Sequence, residues 1–382
     1  NWGTVTFGRQ KGAPGFLADW TDVSLSDGYG NEALGAKTDT FATNRAGSVL
    51  KYSGLFNGFQ VDTSYKFDGG DTEETSSKDS DAAYGAAAIE ACRDRASLNV
   101  VILHPEGRTS EVQRRQMTTP DDANVHALAI DGTFDDAQAR LKDLFNDHDF
   151  RDGVGLAGVN SINWARVLAQ VVYYFTAAVS LGAPHRKVSF TVPTGNFGDI
   201  FAGHIAKRMG LPIGQLVIAT NQNDILDRAL RSGSYRMEGV HPSISPSMDI
   251  QVSSNFERAL FEAAGRDARA VTLMMEELKS GAGFTISQGI LETLRSTFAS
   301  GRASEEETSA TIRRVRETTG ELICPHTAVG VKVAEEHLSG PVPMVTLATA
   351  HPAKFPDAVE AATGIRPALP PRMADLFDRP ER

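Results

Sequence analysis

Near the N-terminus, apolar and polar residues alternate along several short stretches of the chain. In residues 59–67, aromatic, Val and Thr side chains occupy every second position, and Gln, Asp, Ser and Lys lie between them. This period of two predicts a β-strand with one apolar face. Residues 4–7 and 48–52 predict further strands, and the polar, acidic residues 68–81 predict a loop. The first 88 residues therefore predict a short β-meander.

From about residue 89 onward, the pattern changes to apolar runs that alternate with helix-like periods. The runs predict buried strands, and the periodic stretches between them predict helices. The predicted strands are residues 100–103, 126–130, 187–192, 216–220 and 344–350. The predicted helices are residues 133–146, 163–181, 198–209, 223–232, 304–319 and 327–338. This alternation predicts an α/β fold around a mostly parallel sheet.

Composition places the chain among soluble globular proteins. Hydrophobic residues make up 41% and charged residues 23% of its 382 residues, which are ordinary shares for that class. The net charge of -10 argues against general nucleic-acid binding, since no basic run reverses it. No apolar run approaches the roughly 20 residues of a membrane helix, and Cys92 and Cys324 predict two reduced thiols. We therefore expect a cytoplasmic protein without nucleic-acid or membrane partners.

A glycine-containing loop lies between the predicted strand at residues 187–192 and the helix that follows it. The loop consists of Gly195, Asn196, Phe197, Gly198 and Asp199. Such a loop leaves backbone N–H groups free at the positive end of a helix dipole, where a phosphate binds well. A glycine turn is most often only a connection between two elements, so the loop taken alone leaves phosphate binding open.

Four further polar motifs lie after predicted strands or at the starts of predicted helices. They are residues 104–117 (HPEGRTSEVQRRQM), 160–166 (NSINWAR), 245–258 (SPSMDIQVSSNFER) and 349–355 (TAHPAKF). In this order, and with the glycine loop, they resemble threonine synthase of the bacterial and fungal type over about residues 89–382. The resemblance implies a tryptophan-synthase-β-like fold, that of the second fold type of pyridoxal-phosphate enzymes. It also implies conversion of O-phosphohomoserine and water to threonine and phosphate.

The resemblance implies roles for individual residues. The loop of Gly195, Asn196, Phe197, Gly198 and Asp199 matches the part of the family that binds the phosphate of pyridoxal 5′-phosphate. Thr349 matches the hydroxyl beside the pyridine nitrogen. The stretch expected near the substrate's phosphate is matched by Ser161, Asn163 and Arg166. Ser161 and Asn163 are also residue types that favour helix caps, so both interpretations stay open for them.

The first 88 residues resemble a different family. Residues 3–10 (GTVTFGRQ), 44–52 (NRAGSVLKY) and 56–59 (FNGF) resemble the general porins of Gram-negative outer membranes. Membrane barrels need at least about eight strands, so we expect no porin activity from this segment alone. We predict a porin-like β segment at residues 1–88 and a threonine synthase-like region at residues 89–382, truncated at its N-terminus, with the join within residues 85–89.

One feature that the resemblance implies is not found. In the family, a lysine in an N-terminal Phe-Lys-Asp context forms a Schiff base with the cofactor. Here Lys66 lies in the porin-like segment, Lys207 on a predicted helix face, and Lys354 in a different motif. The catalytic residue is therefore unknown, and we expect little or no threonine synthase activity from this polypeptide by itself.

Alternatives stay open. The chain could be a catalytically inactive remnant that binds pyridoxal phosphate or another phosphate through the glycine loop, or an outer-membrane porin fragment. Another enzyme of the same fold type, such as a serine or threonine dehydratase, fits less well because its phosphate loop is usually richer in glycine. His104, His126 and His326 lack metal-ligand spacing and are interpreted as structural, so we expect no metal.

Overall fold

The N-terminal part of the protein contains a small antiparallel sheet. A computed structural model describes the backbone of residues 4–10, 46–56 and 59–66, and also residues 98–382 except 108, 133, 160, 282 and 339. The first three stretches are β1 (Thr4–Gln10), β2 (Ala46–Phe56) and β3 (Phe59–Lys66), paired in the order β1-β2-β3. The three strands predicted here are therefore present. The predicted loop at residues 68–81 and the predicted join lie outside the described residues.

From residue 98 onward, strands and helices alternate. The strands are β4 (Val100–Pro105), β5 (Val125–Ile130), β6 (Val188–Pro193), β7 (Ile213–Thr220), β8 (Ser234–Tyr235), β9 (Phe284–Thr285), β10 (Phe298–Arg302) and β11 (Met344–Thr346). The helices are α1 (Glu111–Thr118), α2 (Phe134–Asn146), α3 (His148–Val154), α4 (Trp164–Ser180), α5 (Gly198–Arg208), α6 (Ile225–Ser232), α7 (Phe256–Ala263), α8 (Ala268–Lys279), α9 (Gln288–Thr297), α10 (Glu305–Thr319), α11 (Pro325–Glu336) and α12 (Pro356–Thr363). Short 3-10 helices cover Pro246–Met248, Pro352–Lys354 and Pro371–Met373.

The parallel strands belong to two separate sheets rather than to one. The larger sheet has the order β10-β7-β6-β11 with all neighbours parallel, and among the described strands β4 pairs only with β5, also in parallel. β8 and β9 form a short antiparallel pair. The sequence predicted a single mostly parallel sheet, because the pattern of a strand followed by a helix is the same in both groups.

Helices cover both faces of the larger sheet, which explains why every residue of β6 is buried. On one face, the Tyr174 ring of α4 packs against Phe190 with centroids 4.9 Å apart. Helix α5 packs closely against α4 because Gly203 has no side chain. A Cβ on Gly203 would lie 2.7 Å from the Tyr174 ring. On the other face, Val329 and Val333 of α11 pack in one cluster with Val217 and Ala219 of β7. Each large side chain buried in this way stabilises the fold by about 1.5–3 kcal/mol.

Parallel pairing brings the carboxyl ends of β6, β7 and β11 to one edge of the larger sheet. The register aligns Thr346 of β11 with Thr191 of β6, and Pro193 of β6 with Ala219 of β7. The glycine loop, residues 221–224 and residues 347–350 all leave the sheet at this edge. In open α/β sheets, ligands bind outside the carboxyl ends of the strands. The fold therefore places the glycine loop and the start of the motif at residues 349–355 where a site is expected.

Candidate functional site

The loop after β6 leaves several consecutive N–H groups without a protein acceptor. Thr194 is fixed to the sheet, since its N–H donates to the Ala219 carbonyl at 2.8 Å and its hydroxyl to the Val192 carbonyl at 2.6 Å. Within the described residues, no oxygen accepts a hydrogen bond from the backbone N–H groups of residues 195–200. These groups lie at the N-terminus of α5, the positive end of its dipole. The arrangement suits a phosphate dianion.

Phe197 sets the turn of this loop. It is the N-cap residue of α5 and has φ 64°, in the left-handed region. That conformation costs a residue with a side chain about 1–2 kcal/mol. The ring is buried and packs edge-on against Phe256 and Phe298, with both centroids 5.3 Å away. Burial of an aromatic ring contributes about 1.5–3 kcal/mol, which offsets the strain. The side chain thus holds the loop in shape, and its N–H remains for a ligand.

The two loop glycines meet different constraints. A Cβ on Gly195 would lie 2.5 Å from the carbonyl oxygen of Ser247, closer than real Cβ contacts come. A Cβ on Gly198 would lie 3.4 Å from the Asn255 Nδ2 atom and 3.6 Å from the Ser161 Cβ, which is near ordinary contact. Of the two glycines, only Gly195 must therefore lack a side chain, because the segment at residues 245–255 approaches it closely.

Asn255 connects this loop to the segment before α4. The residue is fully buried, and its backbone N–H donates to the Asn196 carbonyl at 3.0 Å. Its Nδ2 donates to the carbonyls of Asn196 and Ser161, both at 3.0 Å, and its Oδ1 accepts from Arg258 Nε at 2.9 Å. We did not assign Asn255 from the sequence. The available signal was its place in the polar run that precedes α7.

Asp249 holds the same segment on the carboxyl end of β7. Its Oδ1 accepts hydrogen bonds from Asn221 Nδ2 at 2.8 Å, Asn223 Nδ2 at 2.9 Å and Ser243 Oγ at 2.6 Å. Its Oδ2 accepts from the Ser243 N–H at 2.8 Å. Asn221 and Asn223 are buried, so their amides need such partners. This network was not predicted from the sequence either, although two asparagines directly after a buried strand gave a signal.

The Asp199 side chain points toward α4. Its carboxylate accepts hydrogen bonds from the hydroxyls of Tyr173 at 2.5 Å and Tyr174 at 3.0 Å. Burial raises the pKa of Asp199 from 3.8 to about 6, although both hydroxyls and the charge of Arg166 act in the opposite direction. Desolvation and the Asp199 charge likewise raise the pKa of Tyr173 and of Tyr174. The carboxylate of Asp199 is therefore engaged with α4, and only the backbone N–H of this residue remains for a phosphate.

The three residues predicted near the substrate's phosphate lie in different settings. The Ser161 carbonyl accepts from Asn255, and a Cβ at Gly198 would touch Ser161, so Ser161 lies beside the loop. Asn163 is the N-cap of α4: its Oδ1 accepts from the Ala165 N–H at 2.9 Å, and its Nδ2 donates to the Gly158 carbonyl at 2.5 Å. Arg166 is buried, and its charge lowers the pKa of Asp199. The helix-cap interpretation thus holds for Asn163.

Thr349 lies just beyond β11 at the same edge of the sheet. The chain leaves β11 with the Leu347 N–H donating to the Thr191 carbonyl at 3.0 Å. Thr349 itself is partly buried, and its hydroxyl makes no hydrogen bond within the described residues. His351 then caps the 3-10 helix at Pro352–Lys354 by accepting from the Ala353 N–H at 3.1 Å. The topology therefore brings Thr349 to the edge that carries the glycine loop.

Comparisons with known proteins give two different family matches. A model described as "Threonine synthase, C-terminal" matches residues 327–382, and one described as "Gram-negative porin" matches residues 1–189. Residues 98–189 of the second match contain the parallel pair β4 and β5, helices α1 to α4 and the start of β6. The porin resemblance of residues 1–88 therefore stays a prediction. No helix within the described residues has the length and apolar character to cross a membrane.

Curated relatives and solved structures agree over the larger region. The chain is 54% identical over 300 residues to threonine synthase from Pseudomonas aeruginosa, covering 78% of this chain and 64% of that protein. It is 46% identical over 298 residues to threonine synthase from Saccharomyces cerevisiae, covering 73% and 58%. A crystal structure of pyridoxal-phosphate-bound threonine synthase from Brucella melitensis is similar with a TM-score of 0.72 and 62% identity, covering 78% and 64%. The chain thus spans less than two thirds of these relatives.

Proposed function

We propose that this chain, a homologue of threonine synthases over 78% of its length, is a pyridoxal 5′-phosphate-dependent lyase. In the proposed reaction, O-phosphohomoserine and water give threonine and phosphate. The observation that carries the proposal is the loop after β6, where the N–H groups of residues 195–200 have no acceptor within the described residues. Residues 98–382 would supply the cofactor-phosphate side of the site.

The residues of the chain fit the phosphate of the cofactor. The N–H groups of the loop and the helix dipole meet the negative charge without a cationic side chain. When bound, pyridoxal phosphate supplies an electron sink for breaking bonds next to the substrate's amino group. Thr349 lies at the same edge and would offer a neutral hydroxyl to the ring nitrogen. A hydroxyl there, unlike a carboxylate, would leave the ring unprotonated and moderate its electron withdrawal.

The substrate's phosphate is assigned to the segment that contains Ser161, Asn163 and Arg166. Ser161 lies beside Gly198, and Arg166 lies close enough to Asp199 to lower its pKa. Both side-chain groups of Asn163 are already engaged in the cap. We therefore place the substrate contacts mainly on Ser161 and Arg166, with Asn163 holding the start of α4.

As the alternative, we propose that the polypeptide alone binds the cofactor with little or no turnover. The observation that favours this alternative is the absence of a Phe-Lys-Asp motif from the sequence. Lys207 lies in the last turn of α5, at the opposite end of the helix from the loop. Lys354 belongs to a 3-10 helix, and its carbonyl accepts from the Ser110 hydroxyl at 2.7 Å.

The proposal is tested by equilibrium dialysis of pyridoxal phosphate with the full chain and with Gly195→Ala. We expect the substitution to weaken binding at least about tenfold, which corresponds to roughly 1.4 kcal/mol, because the new Cβ displaces Ser247. Gly289→Ala is the matched control, since Gly289 lies in α9 with nothing within 4 Å of an added Cβ. The control should bind like the parent chain.

Two results would contradict the proposal. One is a parent chain that binds no pyridoxal phosphate. The other is equal binding by the parent and by Gly195→Ala, which would place the ligand elsewhere. Borohydride treatment of the complex, followed by mass spectrometry, separates the two activity hypotheses: a reduced lysine adduct together with phosphate release from O-phosphohomoserine would show turnover, and their absence supports binding alone.

A further inference from the structure

A buried histidine contacts Ser247, the residue that packs against Gly195 of the glycine loop. His326 lies on the first turn of α11 and is 4% exposed. Its Nε2 accepts a hydrogen bond from the Ser247 N–H at 3.2 Å. Its ring packs against Phe355, with centroids 4.6 Å apart. The imidazole therefore fixes the backbone of Ser247 in the middle of a short 3-10 helix.

Ser247 in turn limits the position of Gly195. Its carbonyl oxygen lies only 2.5 Å from the position that a Cβ on Gly195 would take. The Ser253 hydroxyl also donates to the Gly195 carbonyl at 2.7 Å. Because both residues contact Gly195, a displacement of Ser247 moves the first residue of the phosphate loop.

The imidazole is held in one protonation state. Burial lowers the pKa of His326 from 6.5 to about 3, and the positive charge of Lys354 acts in the same direction. A neutral ring that accepts at Nε2 carries its hydrogen on Nδ1. Within the described residues, Nδ1 is buried without a hydrogen-bond partner. An unsatisfied buried donor destabilises the folded state, and an apolar side chain at this position would avoid that cost.

We propose that His326 is a positioning residue of the phosphate loop: it holds the Ser247 N–H so that the Ser247 carbonyl rests on Gly195. The inference rests on the proposed function, because the loop is taken to bind a phosphate. It assigns to His326 a role beyond the structural one expected from the sequence. It also explains a polar side chain at a buried position.

The test compares His326→Leu with His326→Gln in the full chain. Glutamine offers a carbonyl oxygen near the place of Nε2, whereas leucine fills the space and leaves the Ser247 N–H without an acceptor. We expect His326→Leu to weaken pyridoxal phosphate binding at least tenfold in equilibrium dialysis, and His326→Gln to stay within about threefold of the parent. His204→Leu is the control, since it removes another imidazole with an unpartnered Nδ1 that makes no contact with Ser247.

A second measurement keeps the inference separate from the proposed function. In a spectrum of protein labelled with ¹⁵N-glycine and ¹⁵N-serine, without ligand, His326→Leu should shift the amide signals of Gly195 and Ser247, and His326→Gln should restore them. A parent chain that binds no cofactor but shows this pattern would contradict the proposed function and support the positioning role. Unshifted signals in His326→Leu, or equal losses of binding in both variants, would overturn the positioning role.

Discussion

At the scale of single residues, the loop shows what a motif can and cannot predict. The free N–H groups could be predicted, because they follow from a strand that ends in a glycine turn and a helix. The need for a glycine at position 195 could not, since it comes from the close approach of Ser247. Neither could the direction of the Asp199 side chain. It depends on Tyr173 and Tyr174, which precede it by 26 and 25 residues and reach it only when α4 packs on α5. Local sequence does not contain that contact.

Asp199 should make the protein less stable as the pH rises from 4 to 7. Its pKa is about 6 in the folded state against an ordinary value of 3.8, so over this range the folded state holds more protons than the unfolded state. The effect is about 2–3 kcal/mol, from roughly 1.4 kcal/mol for each pKa unit. Asp199→Asn removes it, so the free energy of unfolding of this variant, relative to the parent, should rise by that amount between pH 4 and pH 7 in urea titrations.

Asp375→Asn is the control for this titration. The hydrogen bonds from Arg379 lower the pKa of Asp375, so its removal should change the relative stability in the opposite direction. If Asp199→Asn and the parent keep a constant difference in unfolding free energy across this pH range, the carboxyl of Asp199 does not titrate as described.

At the scale of elements, caps and periodicity predicted helices such as α10, whereas a strand without an apolar run was not predicted. The helix predicted at residues 304–319 corresponds to α10, because Ser304 and Glu307 form a capping box and Gly320 ends the helix. Strand β10 was not predicted from the sequence. This strand begins at Phe298 directly after α9 and contains Ser300 and Gly301, so it shows no apolar run. Its pairing with β7 is a tertiary contact that the local pattern does not encode.

The start of α4 offers a test of whether Asn163 is a cap or a ligand. Asn163→Ala removes the acceptor for the Ala165 N–H and the donor to Gly158, which should lower the free energy of unfolding by about 1–2 kcal/mol. Asn163→Asp keeps the cap acceptor and should recover at least half of that loss. Binding of inorganic phosphate, measured by dialysis at conditions where all three proteins are folded, should be equal. A selective loss of phosphate binding in Asn163→Asp would instead indicate a ligand role.

At the scale of the whole molecule, the α/β class could be predicted from the alternation of strands and helices, but the division into two sheets could not. β4 and β5 form a pair with Val101 and Leu128 more than half exposed, at 57% and 51%. Parallel strands are usually covered on both faces. Which strands become neighbours is decided by tertiary packing, which leaves no mark in the periodicity of either strand.

The balance of buried titratable groups predicts that the protein loses stability in acid. The pKa is lowered to about 4 in His204 and about 3 in His326, mainly by burial. The unfolded state therefore takes up protons first as the pH falls from 6.5 to 4, at a cost of about 3 kcal/mol for each ring. Asp199 offsets about 3 kcal/mol of this, so we expect these three groups to give a net loss on the order of 3 kcal/mol.

Urea titrations at pH 7 and pH 4 measure this loss. A double variant, His204→Gln with His326→Gln, should be less stable than the parent at pH 7 and should lose markedly less stability on going to pH 4. An equal loss in the parent and the double variant would show that these imidazoles do not govern the acid sensitivity.

The side chain of Asn255 has a consequence for any fragment of this protein. It joins positions that are 59 and 94 residues away along the chain, through the carbonyls of Asn196 and Ser161. Contacts of such separation form only when long loops have already closed, which places the loop among the non-local and slowly forming parts of the fold. A short piece that contains residues 187–209 would keep the loop sequence but lack the partners that shape it. Sequence similarity can therefore be detected in a fragment, whereas ligand affinity depends on the folding of the whole protein.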